Sequence, residues 1–206
     1  MTRTAAFLAA AAVLLGLAIG GFLAVRETSA DPFAKCRTSQ VAGGAAAIGG
    51  PFTLTDGDGE RVSDTDLITG PTLVYFGYSY CPDVCPMDLS RNALAAQELA
   101  ERDVKTGQVF VTIDPERDTP EVVRDFTAAI DPGLVGLTGS PDEIAAAAKA
   151  YKVFYRRNGN DPEYYLMDHS TFTYLMAPQV GFLEFYASEL DPSAVAESVA
   201  CYADRL

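Results

Sequence analysis

The chain has 206 residues and carries 28 acidic against 15 basic side chains, a net charge of −13 at pH 7. A surface that acidic repels a polyanion and excludes nucleic acid as a partner. The length allows one well-buried domain and a short additional element. From Ala5 to Val25 no residue is charged, and the stretch is long enough to cross a bilayer. With Arg3 on the cytoplasmic side, residues 1–26 read as an uncleaved single-pass anchor with the rest of the chain exported. Thr28, Ser29 and Ala30 leave open a cleaved signal peptide instead. Both readings put the domain outside the cytoplasm, where thiols meet an oxidising environment.

Residues 27–50, with Gly43, Gly44, Gly49 and Gly50 among alanines, have the composition of a flexible linker, and Cys36 lies inside it. The remainder, 51–206, reads as one domain. Phe52 to Thr55 predicts a strand, Asp56 to Gly59 a hairpin turn, and Glu60 to Val62 the return strand. Ser63 caps a short helix through Leu67. Gly70 and Pro71 then open an apolar run, Leu73 to Phe76, that ends at Gly77 and predicts a buried strand. Cys81 and Cys85 follow, each immediately before a proline, and Pro86 stands where a helix can begin; Leu89, Leu94 and Leu99 continue at helical spacing. Strand, thiol pair and helix is how a thioredoxin-like unit presents reactive sulfur. Here three residues separate the cysteines, a gap that leaves room for a metal ion between the sulfurs and still permits a disulfide.

Gly107 is expected to end that helix, and Val109 to Ile113 to form a strand parallel to the first. The loop Asp114-Pro115-Glu116-Arg117-Asp118-Thr119-Pro120 leads into a helix capped by Thr119 with Pro120 at its first position. Leu134 to Leu137 predicts a strand, and Ser140, Pro141 and Glu143 start a helix running to Tyr151. Val153 to Arg156 reads as a strand of an outer pair, and Asn158 to Pro162 as a polar loop. Thr171 to Met176 and Phe182 to Tyr186 read as an antiparallel hairpin, and a final helix spans about Pro192 to Tyr202. The alternation predicts an α/β fold: a mostly parallel central sheet flanked by helices, with an amino-terminal β-hairpin extension.

The chain has a single histidine, His169. In a thioredoxin-like order the loop before the penultimate strand faces the thiol loop and usually carries a cis-proline. This chain places Asp168-His169-Ser170 there, which brings an imidazole toward two thiols. Two sulfurs and one nitrogen suit Cu(I), whereas structural zinc asks for a fourth ligand. Asp168 is read as a neighbour that tunes charge or orients His169, against the plainer reading of a solvated or capping carboxylate.

The runs Phe76 to Pro86, Val111 to Pro120 and Asp168 to Ser170 together resemble the Sco/SenC family of membrane-anchored, thioredoxin-like copper proteins, over about Gly49 to Arg205. The resemblance implies metal ligands at Cys81, Cys85 and His169, and one copper ion, Cu(I) or Cu(II), per domain. It implies a metallochaperone that receives copper from an upstream periplasmic donor. That chaperone delivers copper to, or reduces the cysteines of, the dinuclear centre in cytochrome c oxidase subunit II. It further implies a bacterial inner membrane location with the domain facing the periplasm.

Two positions depart from the family pattern: Met87 where an acidic residue is common, and Tyr80 where relatives often have histidine. Cys36 and Cys201 lie outside the family motif; they pair with each other, remain free, or bond to another chain. Asp114, Glu116, Arg117 and Asp118 either shape a docking surface, brace the thiol loop, or simply cap the helix that follows. A thiol-disulfide oxidoreductase, using Cys81 and Cys85 as redox thiols without the histidine, is the alternative function, and a redox or copper sensor a third. A peroxidase reading would need Ser79 and Arg117 or Arg156 at the thiol; paired cysteines with a facing imidazole fit metal binding better.

Overall fold

The structure is a computed structural model that describes residues 13–21, 31–39, 41, 44–161 and 164–206. It divides into two units, Met1–Lys35 and Cys36–Leu206. In the first, residues 13–21 are helical and exposed. Much of the expected membrane span, 5–25, lies outside the described residues, and among those described no helix is long and apolar enough to cross a membrane.

The second unit is built on a seven-stranded sheet in the order β2-β1-β5-β4-β3-β8-β9, with a separate two-stranded sheet β6-β7. Its strands are β1 (Thr53–Asp56), β2 (Arg61–Ser63), β3 (Thr72–Gly77), β4 (Gly107–Thr112), β5 (Leu134–Thr138), β6 (Tyr155–Asn158), β7 (Leu166–His169), β8 (Thr173–Ala177) and β9 (Gly181–Tyr186). Its helices are α1 (Asp64–Leu67), α2 (Val84–Ala100), α3 (Pro120–Ile130), α4 (Pro141–Ala150) and α5 (Pro192–Ala203). β3-α2-β4 is a parallel crossover, and β8-β9-α5 an antiparallel hairpin followed by a helix; joined through the β3-β8 pair they make a thioredoxin-like core. The β1-β2 hairpin extends it by pairing antiparallel with β5.

Every residue of β3 is buried, as expected of a central strand covered on both faces. Phe76 of β3 packs at a tilt against Tyr151, centroids 5.1 Å apart, and Tyr151 meets Tyr174 edge to face at 5.6 Å. Side chains of this size contribute roughly 1.5–3 kcal/mol each when fully buried. Register then sets the functional edge. Gly77 lies opposite Thr112 on β4, and Tyr75 opposite Thr173 on β8. The thiol loop, the 113–119 loop and the chain entering β8 therefore all meet at one end of the sheet.

The local signals act as written at two helices. Thr119 Oγ1 accepts from the Val122 amide, and Ser140 and Glu143 form a reciprocal capping box. Several boundaries differ from the sequence reading: β6 runs Tyr155–Asn158 instead of from Val153, taking in Asn158 from the expected loop, and β8 starts at Thr173 instead of Thr171; three others bear on the site. α2 starts at Val84, so Pro86 occupies its first turn, where a missing N–H removes no helical bond. Its end comes at Ala100, where Asp103 in the left-handed region (φ 60°) turns the chain away. Gly107 instead opens β4 opposite Thr72, where a Cβ would lie 2.8 Å from Thr72 Oγ1. The third is β7, whose residues Leu166-Met167-Asp168-His169 pair with β6. Charged and apolar side chains mix on both strands, so neither carries the alternation that marks a half-buried strand.

The stretch from Cys36 onward, read as linker, is fastened to the domain. Cys36 is bonded to Cys201 on α5. Glu184, fully buried on β9, accepts from the Thr38 amide (2.8 Å), from the hydroxyls of Thr38 and Ser39, and from Tyr202 (3.3 Å). Arg37 Nη1 donates to the Leu183 carbonyl (3.0 Å), so the segment also covers part of the edge strand.

Candidate metal centre

Cys81 and Cys85 are free thiols, the first in the loop that follows β3 and the second in the first turn of α2. The Cys85 amide, one of the unpaired donors of the helix start, points at Cys81 Sγ at 3.4 Å. Cys85 is wholly buried and Cys81 is 8% exposed, so the second sulfur meets solvent first. Gly77 makes room for the first: a Cβ at that position would stand 2.7 Å from Cys85 Sγ. Sequence reasoning saw in this glycine only the end of a strand.

His169 ends β7 and turns Nε2 to Cys85 Sγ at 3.4 Å. Its Nδ1 lies 2.8 Å from the Ser170 carbonyl, so that nitrogen carries the proton and Nε2 keeps its lone pair for the site. The rings of Tyr78 and Tyr75 stand edge-on to the imidazole with centroids 5.8 and 6.4 Å away. The three donor atoms all lie within 4.8 Å of one another. An ion with bonds of about 2.1–2.3 Å to three ligands in a plane would hold them roughly 3.6–4 Å apart, so the set is near the spread it needs.

The thiols are electrostatically unequal. A hydrogen bond from Cys85, set against burial and joined by the Asp83 and Cys85 amides, pulls Cys81 below the ordinary thiol range. The Cys81 partner and then burial push Cys85 up. Cys81 is thus the sulfur that ionises first.

Asp168 stands apart from this cluster. Alternation along β7 puts Met167 and His169 on one face and Asp168 on the other, where its carboxylate accepts from Arg156 Nη2 at 2.6 Å and Asn158 Nδ2 at 2.9 Å. Those bonds, Arg156 first, hold its carboxyl below the usual range. Its contact partners are thus on the outer surface of the hairpin, not at the imidazole. Met87 and Tyr80 are exposed beside the site.

The Asp114–Pro120 loop does brace the thiol loop. Asp118, fully buried, accepts from the Ser79 amide at 3.0 Å, from the Ser79 hydroxyl, and from Thr112 Oγ1 at 2.5 Å. Burial raises its carboxyl despite these bonds. A second buried network went unread. Asp88 accepts from Ser188 Oγ at 2.8 Å, and Arg91 and Asn92 both donate to Thr173 Oγ1, tying α2 to the strand after the histidine. Its signal was available: polar Asp88, Arg91 and Asn92 sit on the face of α2 that also carries Leu89 and Leu99.

Comparison with known proteins points the same way. The family model for SCO1/SenC matches residues 40–204. Protein SenC of Rhodobacter capsulatus is 49% identical over 206 residues, covering all of this chain and 92% of its own. Among solved structures, Arabidopsis thaliana ScoI with copper bound superposes with a TM-score of 0.73 at 39% identity, covering 77% of this chain and 99% of that one. Bradyrhizobium japonicum ScoI with copper bound gives 0.68 at 37% identity, covering 78% and 100%.

Proposed function

This chain belongs to the SCO1/SenC family, and on that premise we propose that it binds one copper ion at Cys81, Cys85 and His169 and serves in cytochrome c oxidase assembly. In this reading copper is cargo. It arrives from a periplasmic donor protein and goes on to the dinuclear centre of oxidase subunit II, or the two thiols reduce the cysteines of that centre beforehand. The apolar segment 5–25 would hold the domain on the periplasmic side of the inner membrane, a placement supported by its uncharged length.

The observation that carries the reading is the convergence of two sulfurs and an imidazole nitrogen within 4.8 Å. The chemistry of the set favours a soft monovalent ion: thiolates select Cu(I), and the neutral Nε2 completes three-coordination without a fourth protein ligand. The exposure gradient favours hand-over. His169 is partly exposed and Cys81 lies nearer the surface than Cys85, so an incoming ligand replaces the outer donors before the buried sulfur lets go.

The asymmetry of the thiols supports the thiol-disulfide reading as a second activity of the same site. The Cys81 thiolate attacks a partner disulfide and expels one partner thiolate; Cys85 then gives up its proton and displaces the second, leaving a Cys81–Cys85 disulfide and a reduced partner. The two activities exclude each other at any moment, because the ion needs both thiols reduced. Titration of the reduced chain with Cu(I), wild type against His169→Ala, separates them. One ion in the wild type and a large loss of affinity in the variant are expected, with thiol exchange kept; equal affinity in both would overturn the copper site as drawn.

A further inference from the structure

The donor atoms belong to two bodies. The sulfurs sit where the main sheet meets α2, whereas the imidazole rides on β6-β7, a sheet of its own. That hairpin makes sparse contact with the other elements of the described fold. Tyr155 and Met167 pack partly buried against the core, and a cavity of about 170 Å³ remains between Ile113, Pro141, Tyr155, Tyr165 and Met167. Apolar burial therefore leaves the height of His169 above the thiols loosely determined.

Arg117 supplies the missing constraint. Its Nε donates to Asp114 Oδ2 at 2.6 Å and its Nη1 to the Tyr165 carbonyl at 3.1 Å. The guanidinium lies over the Tyr165 ring at 3.5 Å and within 4.7 Å of the Tyr80 ring centre. Tyr165 in turn donates its hydroxyl to Asp114 Oδ1 at 2.7 Å, and Arg157 covers the ring at 3.8 Å. Tyr80 is the residue before Cys81, and Tyr165 immediately precedes the strand that ends in His169. One planar cation thus touches the chain entering each half of the donor set. Its side chain is 15% exposed and its Asp114 partner 4%, so water competes little for these bonds.

We infer that Arg117 is a positioning residue for the metal centre: by clamping Tyr165 and Tyr80 it sets the distance between His169 and the Cys81–Cys85 pair. A guanidinium can donate as a fork and stack on aromatic faces at the same time, which an ammonium cannot, so lysine does not replace it. Arg117 offers no lone pair to a metal, so its effect on binding passes through the placement of the donors on either side of it.

This inference rests on the copper reading for its binding measurement and is independent of it for the other. In the copper-free reduced chain, Arg117→Lys should speed amide hydrogen exchange over Leu166–His169 at least tenfold, with Leu73–Gly77 unchanged. In Cu(I) competition against a chromophoric chelator, the same variant should bind at least fivefold more weakly. Placed on a His169→Ala background it should cause no further loss. Tyr165→Phe, which removes the bond to Asp114 and keeps the ring, should move both measurements in the same direction by less, and it carries the test should Arg117→Lys not fold. Unchanged exchange at β7, or an equal loss of affinity with His169 already absent, would overturn the assignment. A wild type that takes up no copper would instead sink the copper reading and leave the exchange result to decide.

Discussion

Two cysteine pairs divide the chemistry of this molecule, and they behave against their spacing. Cys81 and Cys85, four apart in the chain, remain thiols; Cys36 and Cys201, 165 apart, are joined. The close pair is held by a strand end and a helix start, with an imidazole facing Cys85. The distant pair closes a loop of nearly the whole domain and fastens the incoming chain to the last helix. Closeness in sequence made one pair a donor set, and closeness in the fold made the other a brace.

Breaking the pairs one at a time gives the largest contrast. Cys85→Ser should remove the tight copper site, while Cys36→Ser with Cys201→Ser should leave one ion bound and lower stability by about 4 kcal/mol in chemical denaturation. Comparable copper loss in both variants would erase the division drawn here. Gly77→Ala sharpens it from within the site. Its Cβ would press on Cys85 Sγ, so copper affinity should fall with a stability loss of about 1–3 kcal/mol, whereas an alanine at exposed Gly59 should leave copper binding unchanged.

A smaller effect separates the ends by pH. Burial opposes the charge of Glu184, but bonds from Ser39, Thr38 and Phe185 outweigh it and hold the carboxyl below its usual range. A depressed folded value means stability that is complete above the unfolded value of about 4.3 and is lost as pH falls below it. Asp118 has the opposite sign: burial raises its folded value, so protonation there favours the folded state as pH falls toward the ordinary carboxylate range. Mild acid should therefore release the 36–39 segment before the thiol loop, as read by hydrogen exchange at Thr38 against Ser79. Glu184→Gln should cost about 1–3 kcal/mol at neutral pH, and less below pH ~4.

The smallest effect concerns reactivity. Iodoacetamide should modify Cys81 first and at lower pH than an ordinary thiol, with Cys85 following only after unfolding, as peptide mapping would show. Simultaneous labelling would remove the asymmetry on which both proposed activities draw.

Much of the fold was legible along the chain. The apolar run of β3, the capping pattern at Ser140 and Glu143, and Thr119 before Pro120 each state their element within a few residues, because hydrogen bonding and burial repeat with a short period. Cys81 and Cys85 could be named for the same reason: strand, thiol and helix start are adjacent. The hairpin β6-β7 was harder, since its strands YRRN and LMDH carry no clean alternation. Asp168 was read either as a neighbour that tunes charge or orients His169 or as a plain solvated carboxylate; its hydrogen bonds go to Arg156 and Asn158, because in a strand adjacent side chains face opposite ways.

The amino-acid order by itself determined which segments become strand or helix, which end of the central strand bears sulfur, and which residue types stand ready to hold a soft ion. The approach of His169 to the thiols was expected from its place in a thioredoxin-like order, but the tertiary structure alone set its Nε2 at 3.4 Å from Cys85, placed Arg117 between the two loops, and chose Cys201 as the partner of Cys36. The reason is physical: local propensity acts over a turn or a pleat, whereas these meetings depend on strand register and on how separate elements pack, neither of which has a local period to betray it.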